Sequence, residues 1–146
     1  MAFLCISICK KRKEVMLQKP NSLIVDFNNI PMELKKLPRW VLWKYTIVGE
    51  GESQRWSKLP MMPNGSSASS TRAETWVDFF TAQETYEKGK FDGVGFVFTG
   101  DDNIIGIDID DCRDENGTLN ALATDILRNV KGYVEGSPSE KGIKIF

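Results

Sequence analysis

The sequence predicts an α+β fold: a mostly antiparallel sheet with flanking helices. Three observations carry this. Runs rich in Val, Ile, Phe and Trp recur at strand length along the chain. Between them lie segments with apolar residues at helical spacing. The elements follow as α, β, β, α, β, β, α, β, β, in which strands come in adjacent pairs, and adjacent strands favour antiparallel pairing.

Each element has a local reason. Asn29 can cap a first helix with Pro31 in its opening turn, and Ile30, Leu34 and Leu37 form its apolar side up to Pro38. Trp40–Ile47 is dominated by β-formers, with Lys44 as its one charge. Gly49–Ser53 turns the chain into a returning strand, Arg55–Leu59, closed by Pro60, and Met62–Ser70 is a polar loop. A capping box at Thr71–Glu74, or a second start at Thr75–Asp78, opens a helix to Lys88. It carries Trp76, Phe79, Phe80 and Tyr86 on one side; such rings can stack on bases, though core packing is the commoner use of an aromatic stripe. Val94–Phe98 and Ile104–Ile109 then flank Thr99–Asn103 and predict a β-hairpin. After the polar loop Asp111–Gly117, residues Leu119, Leu122, Ala123, Ile126 and Val130 mark a third helix, stopped at Gly132. Tyr133–Glu135, the loop Gly136–Gly142 and a strand at Ile143–Phe146 complete the chain.

Composition narrows the function. With 146 residues, 41% hydrophobic and 27% charged, the chain has the make-up of one globular domain or part of one. A net charge of −1 means that contact with nucleic acid must come from a local patch. The absence of histidine excludes Ser-His-Asp and Cys-His catalysis and His-based zinc sites. Cys5, Cys9 and Cys112 have no CxxC spacing and fit a reducing, cytoplasmic setting. No run reaches the length of a membrane span, and no membrane partner is expected. Residues 1–22, with the basic cluster Lys10–Lys13, read as a poorly ordered leader rather than a phosphate-binding arm, and residues 23–146 as the domain.

The chemistry concentrates in Ile105-Gly-Ile-Asp-Ile-Asp. Alternation along a strand sends Asp108 and Asp110 to one face and Ile107 and Ile109 to the other. Paired carboxylates repel unless a cation lies between them, and a hard divalent ion with substrate phosphates is the usual answer. The bland reading is two acids closing a surface strand. A calcium loop starting at Asp110 fails, because Cys112 falls on the third ligand position and Glu115 where the obligatory glycine belongs. In the Ser137–Lys144 stretch, the hydroxyls of Ser137 and Ser139, the backbone N–H groups and the charges of Lys141 and Lys144 suit a phosphate. Lys58, with the hydroxyl-rich Ser66–Thr71 loop, is a third, weaker basic contact.

In this order these segments, together with Pro38-x-Trp-Val-Leu-Trp-Lys, resemble the start of a primase-polymerase domain of the archaeo-eukaryotic primase superfamily, in the branch found on phages, plasmids and integrated elements. The resemblance covers about residues 29–146 and implies an RRM-like catalytic core. It implies primer or DNA synthesis from nucleoside triphosphates on a single-stranded DNA template, with a helicase domain or partner. Asp108 and Asp110 match the family's first motif, whose acids hold Mg²⁺ or Mn²⁺ for nucleotidyl transfer. Ser137, Ser139 and Lys144 fall on the second motif, which grips the triphosphate; many members have histidine at the position of Lys144. The third acidic motif is expected beyond Phe146, so the domain reads as incomplete at its C-terminus. A non-catalytic module binding nucleotide or single-stranded nucleic acid is the alternative.

Overall fold

The computed structural model describes residues 17–100 and 103–146; the basic cluster Lys10–Lys13, Cys5 and Cys9 lie outside them. The α+β class holds, and the strands form two three-stranded antiparallel sheets.

The first sheet is built on β1 (Trp40–Val48), which pairs with β2 (Arg55–Met61) on one side and β3 (Gly93–Phe96) on the other. The β2 strand runs through Pro60, which sits opposite Trp43. An edge strand tolerates this, since the missing N–H has no ladder partner to lose. Helices α1 (Met32–Lys35) and α2 (Phe79–Glu87) accompany this sheet. Its core gathers Ile30, Leu34, Trp40, Phe79 and Ala82, with Trp40 edge-on to both Phe79 and Phe96.

Two local expectations shift. The long helix from Thr71 or Thr75 divides into a 3-10 turn at Ala73–Thr75 and α2, because Asp78 caps instead: its carboxylate accepts from the Thr81 amide at 3.0 Å. The aromatics therefore do not share one face. Phe79 is buried, while Phe80, one residue on, is turned outward and 74% exposed.

The predicted hairpin does not form. β3 pairs with β1, whereas β4 (Ile107–Ile109) pairs with β6 (Ile143–Ile145), which also pairs with β5 (Val134–Gly136). Each run takes its ladder partner from a distant part of the chain. In the second sheet, α3 (Ala121–Asn129), capped by Asn120, covers the apolar face, where Ile109, Cys112, Ala123, Ile143 and Ile145 are buried together. Phe146 carries the opposite face toward the first core, stacked against Phe98 and Tyr133.

Candidate nucleotide and metal site

The second sheet has one dry face and one polar face, and strand register decides what the polar face shows. Ile109 lies in the core beneath α3 and Ile107 packs against it, so Asp108 between them points the other way and is exposed. Asp108 stands opposite Lys144 on β6, and Lys144 stands opposite Glu135 on β5. The three side chains therefore form a row, acid–base–acid, across the sheet. Lys144 Nζ donates to Asp108 Oδ2 in an ion pair with the carboxylate half exposed.

Asp110 lies just past the end of β4, in an exposed turn. The Ser137–Gly142 turn is fitted against it. Ser137 N–H donates to the Gly142 carbonyl at 2.9 Å, Gly142 N–H donates to Ser137 Oγ at 3.0 Å, and the hydroxyls of Ser137 and Ser139 lie 2.8 Å apart. Ser137 is buried, so its hydroxyl staples the turn, and Ser139 is the more exposed of the two. Glu140 takes a left-handed φ of 61° to complete the bend. Gly142 is where the two motifs meet: a Cβ there would come 2.7 Å from the Ile109 carbonyl oxygen and 3.1 Å from Ser137 Oγ. Arg113 N–H, donating to the Lys141 carbonyl at 2.9 Å, ties the same two segments once more.

Lys58 comes from the first sheet. Its ammonium lies 5.9 Å from the centroid of Trp43, whose indole crosses the side-chain-free Gly93 to donate to the Val94 carbonyl. Desolvation, and then the neighbouring Lys144 charge, lower the Lys58 pKa below the ordinary lysine value, against the opposing pull of Asp108 and Asp110. The four side chains thus share one electrostatic environment although they arise from separate sheets. The Ser66–Thr71 loop contributes differently: Ser69 is engaged with Thr75, Thr71 and the Trp76 indole, bonds that shape the loop itself.

Glu135 is a site residue that the linear pattern does not reveal. Desolvation raises its pKa above the usual carboxylate range, with the neighbouring Tyr133 hydroxyl and then the Lys144 charge opposing. Burial and the Glu135 charge push the Tyr133 pKa up to about 12. Both residues line a cavity of about 300 Å³ between the sheets, with Trp43, Val94, Phe96 and Phe146 on other walls.

Two carboxylates at the end of a strand are hard oxygen donors, and among the described residues no group of three or more His, Cys, Asp or Glu side chains is gathered for a metal. That donor set fits Mg²⁺ or Mn²⁺, which take one or two carboxylates and leave positions for water and substrate phosphate. It does not fit a closed protein cage for zinc. Asp114, by contrast, spends its carboxylate on the amides of Asn116 and Thr118 in its own loop.

No family model matches the chain. The DNA primase-polymerase of Nitratiruptor phage NrS-1 is 35% identical over 114 residues, which are 77% of this chain and 15% of that protein. The chain is related to a phage primase-polymerase. It spans 15% of that relative's length. Among the described residues no helix is long and apolar enough to cross a membrane.

Proposed function

We propose that this chain supplies the nucleotide-binding half of a nucleotidyl-transfer site, serving primer or DNA synthesis for a phage, plasmid or integrated element. The observation that carries the reading is the seam between β4 and β6. It sets Asp108 against Lys144 and fits the Ser137–Gly142 turn to the backbone of Asp110. Two carboxylates thus lie beside a turn that carries hydroxyls and lysines, a neighbourhood that supports a reading as cation and phosphate contacts.

In this reading Asp108 and Asp110 hold Mg²⁺ or Mn²⁺, which when bound supplies charge neutralisation at the reacting phosphate and at the hydroxyl that attacks it. The Ser139 hydroxyl and the Lys144 ammonium grip the triphosphate, Ser137 fixes the shape of their turn, and Lys58 adds a second positive charge from the facing sheet. Lysine at position 144 neutralises phosphate as a point charge and leaves the site without an imidazole for proton transfer. The partners are deoxynucleoside or nucleoside triphosphates, a single-stranded DNA template and a helicase domain or partner. A non-catalytic nucleotide-binding module is the second reading, favoured by a described acidic set of only two residues at the seam.

Calorimetric titration of the chain with a deoxynucleoside triphosphate and Mn²⁺ tests the site. Metal-dependent binding is expected, lost in Asp108→Asn/Asp110→Asn and weakened about 10-fold or more in Lys144→Ala, since a charge-assisted contact is worth about 1.5–3 kcal/mol. A folded chain that binds no nucleotide contradicts the proposal. Template-dependent incorporation that Asp108→Asn abolishes would exclude the non-catalytic reading.

A further inference from the structure

The row Asp108–Lys144–Glu135 poses a chemical problem. In the structure Lys144 is paired to Asp108, the very carboxylate that the proposed site gives to a divalent cation. A divalent ion on Asp108 repels an ammonium held by the same carboxylate and favours its departure, provided that Lys144 finds another counter-charge within reach. Register supplies one. Glu135 is the cross-strand neighbour of Lys144 on the side away from Asp108, and directly opposed residues in an antiparallel pair lie within about 5.5 Å of each other.

We propose that Glu135 is a positioning residue: it takes up the Lys144 ammonium when Asp108 turns to a cation, and so holds that ammonium over the phosphate-binding turn. The inference rests on the reading of Asp108 as a cation ligand. Three features of the structure support it. Glu135 sits in the middle of β5, whose backbone is paired to β6, so the strand that carries the receiving group is in place before the exchange. Glu135 lines a cavity of about 300 Å³ between the sheets, so it borders open space rather than close-packed core. Lys144 is part-exposed and has a four-carbon stem, while its Cα is pinned between the buried Ile143 and Ile145. The backbone can stay still while the ammonium crosses one strand. Lys58 and Asp110 are the other charges that act on this end of the row. Neither is a cross-strand partner of Lys144, so neither is the receiving group.

A double-mutant cycle read by Mn²⁺ affinity, without nucleotide and without turnover, tests this. In the otherwise natural chain, Glu135→Gln strands Lys144 on Asp108, and Mn²⁺ binding is expected to weaken about 5- to 10-fold, within the range of coupling between contacting charged residues. With Lys144→Met there is no ammonium to relocate, and the same Glu135→Gln change is expected to cost no more than about 2-fold. Glu135→Asp, which keeps the charge, recovers most of the loss. Equal effects of Glu135→Gln in the two backgrounds would overturn the inference while leaving the cation site intact. So would no effect in the natural chain. Absence of Mn²⁺ binding by the folded natural chain would overturn the cation site, and the inference with it.

Discussion

The two sheets are assembled on different principles. The first has strands of 9, 7 and 4 residues, a seven-residue register between β1 and β2, and a core of large rings around Trp40. The second has strands of three residues each, and its dry face depends on α3 and on five buried side chains, none of them aromatic. The long sheet carries one of the candidate site residues, Lys58; the short sheet and its flanking turns carry the others. Short ladders leave a larger share of their residues at strand ends, where turns aim side chains and where local opening is cheap. The longer ladders and larger rings lie in one sheet, and most of the candidate site residues in the other.

The strongest way to break this comparison is to disturb the seam. Gly142→Val drives side-chain atoms into the Ile109 carbonyl and Ser137 Oγ. We expect a loss of about 3 kcal/mol or more, read as a lowered urea midpoint. Amide exchange should rise first in β4 and β6 while β1 stays protected. Simultaneous loss in both sheets would show that they form one cooperative unit.

Core truncations come next. Leu42→Ala and Ile143→Ala each empty a fully buried site, one per sheet, and each should cost about 2–5 kcal/mol. The comparison predicts that Ile143→Ala costs nucleotide binding under conditions where the chain is still folded, whereas Leu42→Ala costs binding only as the whole chain melts.

Smaller effects separate scaffold from site by sign. Asp78→Ala removes the α2 cap and should destabilise by about 1 kcal/mol. The amide and hydroxyl of Thr81 lower the Asp78 pKa, so this contribution is complete above the ordinary Asp range and disappears as pH falls through the lowered value. Glu135 behaves oppositely. Desolvation raises its pKa, so it costs stability as pH rises from the ordinary Glu value to the raised one. Glu135→Gln should raise the melting temperature slightly at neutral pH, with no gain under acid conditions where both states are protonated. A lowered melting temperature at neutral pH would mean that Glu135 is scaffold.

Much of this was legible in the sequence, for local reasons. Strand composition at Trp40–Ile47, the apolar spacing of α3 and the alternation Ile107-Asp108-Ile109 are written in adjacent residues and give the elements. Of the apolar stripe expected at α3, however, Leu122 and Val130 are exposed, while Leu119, Ala123 and Ile126 pack inward. What failed was pairing. Val94–Phe98 and Ile104–Ile109 have the composition and turn of a hairpin, but β3 and β4 join different sheets, a choice made by distant partners. Glu135 was hidden for the same reason: nothing next to it marks it, and only its register with Lys144 puts it in the row. Pro60 closes a strand by propensity yet lies inside β2, because β2 is an edge. Asp78 outcompeted the cap written at Thr71–Glu74 because its carboxylate reaches both the amide and the hydroxyl of Thr81.

The central claim is that Asp108, Asp110 and the Ser137–Lys144 turn form a single cation-and-phosphate site. Paramagnetic broadening of the amide NMR signals by Mn²⁺, recorded with and without a deoxynucleoside triphosphate, tests it most directly. Broadening should centre on residues 108–111 with Mn²⁺ alone, extend over 137–144 once the triphosphate is added, and spare the β1–β2 turn. Broadening centred elsewhere, or an unchanged pattern on adding triphosphate, would contradict the account.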